Sequence, residues 1–517
     1  MQPPVLSLIL HYTVRIKSFL AKPFAQYVYK GMQRSMRHAL ADQQQVLNTL
    51  IRGGQRTRYG QSVRLDQVSD YESFKSAVPV QDYEAFRPWV EQIKAGQENV
   101  LWKGRPLYFA KTSGTTSGVK YIPITRDSIP NHIQTARNAL LCYMAETGNS
   151  AFADGKMIFL SGSPELERVG GIPTGRLSGI VNHHIPSYLR TNQLPSYPTN
   201  CIEDWEAKLQ RIVEETWDQP MSLISGIPPW MQMYFDALTL RTGKKIGDLF
   251  PRFQVMVQGG VNFEPYRTRL MESIGRRVDT IELFPASEGF FAFQDSQQTQ
   301  GLLLNTNSGI FFEFVPLSEI GQPTPKRVSL ADVQLGEQYA LIINSNAGLW
   351  GYNIGDTVRF VSLDPYRIVV TGRIKHFISA FGEHVIGEEV EDSMRKTADA
   401  FGVNITEFTV APMVSGGQGQ SHHEWWIELN PGTAATPTGP QLAAELDAKL
   451  SVTHPAYADC RARRVLEAPV VRLVMPGVFE HWRRFHGRWG GQQKMTRCAG
   501  DRTIADEFDA MTRFAPH

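Results

Sequence analysis

The sequence contains no uninterrupted run of about eighteen apolar residues, so it offers no ordinary membrane-spanning helix. The basic start and small-residue cleavage site of a secretory leader are also missing. Only four cysteines occur, Cys142, Cys201, Cys460 and Cys498, and no two stand in C-x-x-C spacing. That excludes a zinc ribbon and a dense disulfide framework, and a reducing cytoplasm is the expected compartment. Charge of one sign is lacking too. Lys plus Arg number 53 against 51 Asp plus Glu, for a net charge of +2. No global field draws this chain to nucleic acid or to a membrane, and any anion must be held by local groups. There is no internal repeat and no low-complexity tract. The G-x-x-x-x-G-K-[ST] phosphate loop is absent as well.

What is present is an ordinary globular composition, 42% hydrophobic and 20% charged, over 517 residues. That length calls for two or three domains. The most informative stretch is Lys111-Thr112-Ser113-Gly114-Thr115-Thr116-Ser117-Gly118-Val119-Lys120. Glycines let backbone N–H groups approach an anion, hydroxyls add donors, and Lys120 adds a point charge. Apolar runs at 106–110 and 121–124 flank it, so it reads as a loop between two strands. Taken alone, it also reads as a flexible polar surface loop.

The segment 6–29 has the pattern of an amphipathic helix with Lys and Arg on one side. Packing on the main domain is its expected role, and docking on a membrane surface is the alternative. Helical spacing continues at 43–52, 71–78 and 83–94, with Asp70 as an N-cap. From 106 to about 290 strands and helices alternate, which implies an α/β domain with largely parallel strands. Between 301 and 372 short alternating strands with turn residues imply an appended antiparallel sheet or small barrel. Beyond Arg373 a helix from about Gly387, strands at 406–412 and 424–429 and a helix at 441–451 describe a smaller α+β domain.

Two further clusters carry chemistry. Phe284-Pro285-Ala286-Ser287-Glu288-Gly289 ends a strand, where an aromatic ring stacks a base and an acid holds Mg2+. Gly348-Leu349-Trp350-Gly351-Tyr352-Asn353-Ile354-Gly355-Asp356 places an acid between glycines at a strand start, suited to a ribose diol. Each alone reads equally as an ordinary turn. His183-His184 lies among Gly, Pro and Tyr residues that suit an acyl pocket, and adjacent histidines point apart, which argues against a metal there. Gly259-Gly260-Val261 follows a strand and is placed to approach a ligand. His422-His423 reads as a solvent-facing loop pair, and Arg461, Arg463 and Arg464 as a solvated basic face.

In order and combination, TSGTTSGVK, FPASEG and YNIGD resemble the three nucleotide motifs of the auxin-responsive acyl acid amido synthetases, the Gretchen Hagen three family. That family lies within the adenylate-forming superfamily, with acyl-CoA ligases and firefly luciferase. Its pattern is S-S-G-T-S-x-G-x-x-K, then Y-x-S-S-E, then Y-R-x-G-D. The upstream stretch VPVQDYEAFRPWVEQIKAGQENVLWKGRP resembles the family's lead into its phosphate loop. The resemblance covers nearly the whole chain and is weakest at the C-terminal end.

The resemblance implies that Ser113, Gly114, Thr115, Thr116 and Ser117, with Lys120, hold the ATP phosphates. Phe284 takes the place of the tyrosine that stacks on adenine, and Ser287 and Glu288 match the closing S-E, with Glu288 as the Mg2+ ligand and a catalytic residue. Asp356 matches the aspartate on the ribose hydroxyls. Arg373 stands where these enzymes place a hinge and a basic residue near ribose. Gly490-Gly491-Gln492-Gln493-Lys494 resembles a Gly-Gln-x-Lys run, making Lys494 the expected catalytic lysine, with a solvated lysine as the alternative. Asn353 departs from the family's arginine, and Phe284 lacks the tyrosine hydroxyl.

The implied fold is α/β: a large adenylate-forming domain over 1–371, of mixed and parallel sheets with a small β-barrel, and a smaller mobile α+β domain over 372–517. The implied activity is ATP- and Mg2+-dependent ligation of a small-molecule carboxylic acid to an amino acid or other amine. Transfer to coenzyme A and nucleotide binding without catalysis are the alternatives. No nucleic-acid partner and no integral membrane association are expected. A monomer is expected, and neither the acid nor the amine is encoded in a readable motif.

Overall fold

The computed structural model describes residues 5–113, 119–185, 190–260, 263–320, 322, 324–374, 377–378, 385–413, 421–430, 437–462, 466–486 and 495–513. By internal contact they fall into two units, 1–354 with 358–369, and 355–357 with 370–517.

Strand alternation builds the centre of the first unit. Strands β3 (Lys156–Phe159), β6 (Gln193–Leu194), β7 (Met221–Gly226), β8 (Val255–Gly259) and β9 (Asp279–Ala286) run parallel in the order β6-β3-β7-β8-β9. Successive residues leave the sheet on opposite sides. Ile158, Ile224 and Met256 enter a core with the helices Trp205–Thr216, Pro228–Thr242 and Glu264–Ile274. Met157, Leu223, Val255 and Val257 enter a second core with the helix Ile129–Thr147 and the long N-terminal helix α1 (Val5–Arg37). Strands apolar on both faces fit the interior of a parallel sheet covered on both sides. Helix starts follow local chemistry: the Asp70, Asp82 and Asp204 carboxylates each accept from backbone N–H groups of the turn they cap.

At Ser287-Glu288 the sheet changes sense. Strand β10 (Gly289–Phe293) returns antiparallel to β9, and β11 (Leu302–Leu304) pairs with β10. The order continues through β16 (Tyr366–Arg373), β15 (Tyr352–Leu363), β14 (Gln338–Ser345), β12 (Ile310–Pro316) and β13 (Val328–Ser329), giving one sheet of twelve strands. The strands expected to form a separate small barrel therefore extend the large sheet. The pattern places these strands but shortens them, since β15 runs twelve residues, and the β11–β16 pairing is non-local and leaves no mark in strand spacing. A second sheet of the first unit has the order β2-β1-β5-β4, with β1 Tyr108–Ser113, β2 Val119–Ile124, β4 Glu167–Val169 and β5 Ile172–Gly175.

The second unit carries a β17–β18 pair (Phe377–Ile378, Val385–Ile386) and a sheet in the order β19-β20-β21 (Ile405–Met413, His422–Leu429, Val470–Val474). Adjacent Trp425 and Trp426 are both fully buried and enter different cores, one with helices Gly387–Phe401 and Gly439–Thr453, the other with Val478–Phe485 and Thr503–Arg513. Two sequence expectations fail here. His422 and His423 are in β20, not a solvent loop, and His423 is fully buried with its ring 5.5 Å from Tyr457. Pairing of His422 and His423 with Met413 and Pro412 of β19 starts the strand two residues earlier than the sequence pattern suggests. Arg461 is not a solvated cation; its guanidinium forms a two-pronged pair with Asp447 at 2.8 and 2.7 Å. Arg463 and Arg464 lie outside the described residues.

Candidate active site

Strands β1 and β2 form the hairpin whose connection is the hydroxyl-glycine loop, with Ser113 opposite Val119 and Thr112 opposite Lys120. Gly114, Thr115, Thr116 and Ser117 fall outside the described residues, and Ser113 is placed by its backbone alone. Lys120 is half-buried, its Nζ 5.6 Å from the centre of the Tyr83 ring. Tyr83 is buried, and its hydroxyl accepts from the Tyr121 N–H at 2.8 Å. The helix that begins at Tyr83 thus braces the strand leaving the loop.

The FPASEG cluster is a tight hairpin rather than a strand running into an open loop. Ala286 pairs with Gly289, and Ser287 and Glu288 form the turn between them. Both are half-buried. Phe284 is buried at 6% exposure and meets Phe291 edge-on at 5.1 Å. Phe290 sits opposite Pro285, which has no N–H, and β11 pairs with β10 only from Ala292 onward. Asn131 fills the gap. Its Oδ1 accepts from the Phe290 N–H at 2.7 Å, and its Nδ2 donates to the Phe290 carbonyl at 3.1 Å and to Ser308 Oγ at 3.0 Å. One side chain takes the place of the next strand and fixes the hairpin that carries Glu288.

Tyr352 ties the second cluster to the third. Its hydroxyl donates to Glu288 Oε1 at 3.4 Å, and its ring lies edge-on to Phe86 at 5.3 Å. Burial, then the neighbouring Glu288 carboxylate, push the phenol well above the usual tyrosine range, so it stays a donor at every working pH. Backbone bonds hold Tyr352 in register: Gln81 N–H to the Gly351 carbonyl and Asn353 N–H to the Gln81 carbonyl, both 2.9 Å. Gln81 Nε2 also donates to Tyr59 Oη and to the Trp350 carbonyl. Gly351 has φ +54°, and a Cβ there would stand 2.1 Å from the Pro79 carbonyl oxygen. This close approach is why the upstream VPVQDY stretch matters. It is docked on the third cluster while its next helix braces the loop. Gln81 and Asn131 are not singled out by the sequence, and Tyr352 is named there only as a member of the third cluster; for Gln81 the fit of VPVQDY to the family pattern was the available signal.

In the second unit Asp356 and Arg373 meet. Arg373 Nε donates to Asp356 Oδ1 at 2.9 Å, with the Asp356 side chain largely buried and that of Arg373 53% exposed. The Ile374 N–H to Gly355 carbonyl bond and the Thr357–Thr371 hydroxyl pair hold the two strands together on either side. Residues separated by a strand, a turn and a second strand thus form one acid–base pair.

Other expected residues disperse. His183 Nε2 lies 2.7 Å from the Pro164 carbonyl, while His184 meets the Tyr108 ring at 5.6 Å, so the two do point apart. A Cβ at Gly259 would stand 2.3 Å from the Leu283 carbonyl oxygen, leaving no room for a side chain, and Val261 lies outside the described residues. Lys494 and the Gly490–Gln493 run also lie outside them. A cavity of about 280 Å³ lies elsewhere, between α1 and β11, lined by Val28, Met32, Asn138, Leu303 and Asn305, and none of the expected site residues borders it. Among the described residues no cluster of three or more His, Cys, Asp or Glu side chains could by itself hold a metal ion.

Three models of one family match in sequence order: the GH3 family N-terminal domain over 28–209, the central domain over 303–373 and the C-terminal domain over 388–503. The chain belongs to the GH3 family. Among curated GH3 relatives, the indole-3-acetic acid-amido synthetase GH3.4 of Arabidopsis thaliana is 21% identical, over 93% of each chain. The jasmonoyl–L-amino acid synthetase JAR4 of Nicotiana attenuata is 23% identical, over 61% of this chain and 66% of its own. Among solved structures, the GH3.15 acyl acid amido synthetase in complex with 2,4-DB superposes with a TM-score of 0.76 at 15% identity, over 94% of this chain and 96% of that one. A 2-hydroxyisobutyryl-CoA ligase in the postadenylation state shares the fold more loosely, with a TM-score of 0.59 at 13% identity over 93% and 92%. All three GH3 models fall on the parts that carry the clusters or their supports, except that FPASEG lies between two of the matched regions.

Proposed function

We infer that this GH3 chain is an ATP-dependent acyl acid amido synthetase. The observation that carries the reading is the ordered match of N-terminal, central and C-terminal GH3 models along one chain. In the first half-reaction a carboxylate oxygen attacks the α-phosphorus of ATP and pyrophosphate leaves. In the second an amine attacks the acyl carbon and AMP leaves. A carboxylate is a poor electrophile, and the adenylate supplies its leaving group.

The residues take the following roles. Ser113, Gly114, Thr115, Thr116 and Ser117 wrap the phosphates, with Lys120 at the loop's exit. Glu288, a half-buried carboxylate on a braced turn, suits Mg2+, which binds through one or two carboxylates and the substrate's own phosphates. Bound there, Mg2+ neutralises phosphate charge. Asp356 accepts from the ribose hydroxyls, and Arg373 keeps its carboxylate oriented. Phe284 and Ser287 border the base, and Lys494 reaches the α-phosphate and acyl carboxylate. Domain limits are set at 1–371 and 372–517, and the smaller domain moves between the half-reactions.

The test is acid-dependent ATP–pyrophosphate exchange across a panel of carboxylic acids, then amide formation with an amino-acid panel and the best acid. Exchange lost in Glu288→Ala with the fold intact is the expected result. Absence of exchange with every acid would leave a nucleotide-binding protein without catalysis. Thioester with coenzyme A and no amide with any amino acid would overturn the choice of acceptor.

A further inference from the structure

The N-terminal helix has two unlike faces. Ala21, Ala25, Val28, Met32 and Met36 face the body of the first unit, and Ala25 is fully buried. Gln26 Nε2 adds a bond to the Ala145 carbonyl at 3.1 Å. The small alanines allow close approach to the Ile129–Thr147 helix, so this face is the packing face expected from the sequence.

Among the described residues the opposite face has no such partner. Phe19 and Tyr27 are each 75% exposed, and Pro23, between them at four-residue spacing, is exposed too. The sequence of the same helix continues that spacing towards the amino terminus with Ile16, Tyr12, Ile9 and Val5, a repeat of three and four residues. Isolated exposed aromatics are common on protein surfaces, whereas a stripe repeated along one helix marks an interaction face.

Charge decides what covers the stripe. The helix Val5–Arg37 contains no Asp or Glu, and it carries Arg15, Lys17, Lys22, Lys30, Arg34 and Arg37. Lys22, Lys30, Arg34 and Arg37 are exposed. A second copy of this helix would bring six cations against six, with no acid on either helix to offset them. An anionic lipid surface accepts both features: apolar side chains enter the acyl boundary while lysine and arginine reach the headgroups. Pro23 cannot donate to the Phe19 carbonyl, so the helical ladder is weakest where the packed half gives way to the amino-terminal half. The match to the GH3 N-terminal domain model begins at residue 28 and leaves this half outside it.

We propose that the solvent-facing side of α1 is a peripheral docking surface for anionic membranes, with Phe19, Pro23 and Tyr27 at the lipid boundary and Lys22 and Lys30 on the headgroups. Among the described residues no helix is long and apolar enough to cross the bilayer.

The experiment is flotation of the purified full-length chain with phosphatidylcholine vesicles, with and without phosphatidylglycerol. The chain is expected to float with the anionic vesicles only, and added salt should release it. Lys22→Glu with Lys30→Glu should weaken flotation about tenfold or more, and Phe19→Ser with Tyr27→Ser should do the same. These positions are exposed, so unchanged thermal melting and pyrophosphate exchange verify that the body is intact. Failure of the unaltered chain to float, or flotation of either variant pair as strong as that of the unaltered chain, overturns the proposal. So does a concentration-dependent dimer that the Phe19→Ser, Tyr27→Ser pair abolishes, which would assign the stripe to a second copy.

Discussion

Replacing Tyr352 by phenylalanine tests whether Glu288 is held in place or only happens to lie there. The change removes one hydroxyl and leaves the buried ring against Phe86. At 3.4 Å the bond to Glu288 is longer than the usual O–H···O distance. Hydrogen bonds to charged groups contribute about 1.5–3 kcal/mol, and the stretched distance puts this one near or below the lower end. A loss of about 1.4 kcal/mol corresponds to about tenfold in rate. The assay is acid-dependent pyrophosphate exchange with Mg2+ titrated at saturating acid. Tyr352→Phe should slow exchange about tenfold and raise the Mg2+ needed for half-activity, with little change in melting temperature. Glu288→Gln should cost more, and the double variant should be no slower than Glu288→Gln alone, because the hydroxyl then has no carboxylate to orient. Losses that simply multiply, or an unaltered rate in Tyr352→Phe, would refute the coupling.

Asn131→Leu removes three hydrogen bonds, two of them buried, and strands the Phe290 N–H and carbonyl, so the first unit should lose about 2–4 kcal/mol in urea unfolding; a loss under about 0.5 kcal/mol would show that β10 needs no clamp. His132 is buried, and burial lowers its pKa from 6.5 to about 4. The unfolded chain therefore takes up this proton at higher pH than the folded one, and stability present above the unfolded value is lost as pH falls towards 4, by about 3 kcal/mol. His132→Leu should flatten that acid limb in unfolding midpoints, and identical slopes in both proteins would discount the residue. Gly351→Ala forces a side chain onto the Pro79 carbonyl at positive φ and should cost about 2 kcal/mol or more, read as a lowered melting temperature; an unchanged melt would mean the Pro79–Tyr83 stretch can shift freely.

Local features were legible in the sequence, and pairings across the chain were not. Asp70 and Asp204 announce their helices because capping needs only the next three residues. The 264–274 helix and most strands of the parallel sheet follow from periodicity. The barrel did not survive, because strand partners are chosen by tertiary packing, and β11 finds β16 some sixty residues on. Glu288 and Asp356 stood out by residue type and motif, whereas the groups that hold them, Tyr352, Asn131 and Arg373, did so only partly. Arg373 was found through its place after a strand. Asn131 had no signal at all, since an asparagine in a helix serves equally well in solvent. His422-His423 was misread because strand ends are set by ladder pairing with β19, not by the polarity of the end residues.

The bracket formed by residues 79–94 has a consequence for redesign. Helices 205–216, 228–242 and 264–274 pack into their own core on one side of the parallel sheet. The short stretch from Pro79 to Tyr83, together with Asn131 and Gly351, behaves as a single inherited cassette. A chimera that exchanges one of these pieces without the others would fold its sheet and still mis-set the Ser287-Glu288 turn, and with the role proposed for Glu288 the fault would show in turnover while Glu288 itself remained present.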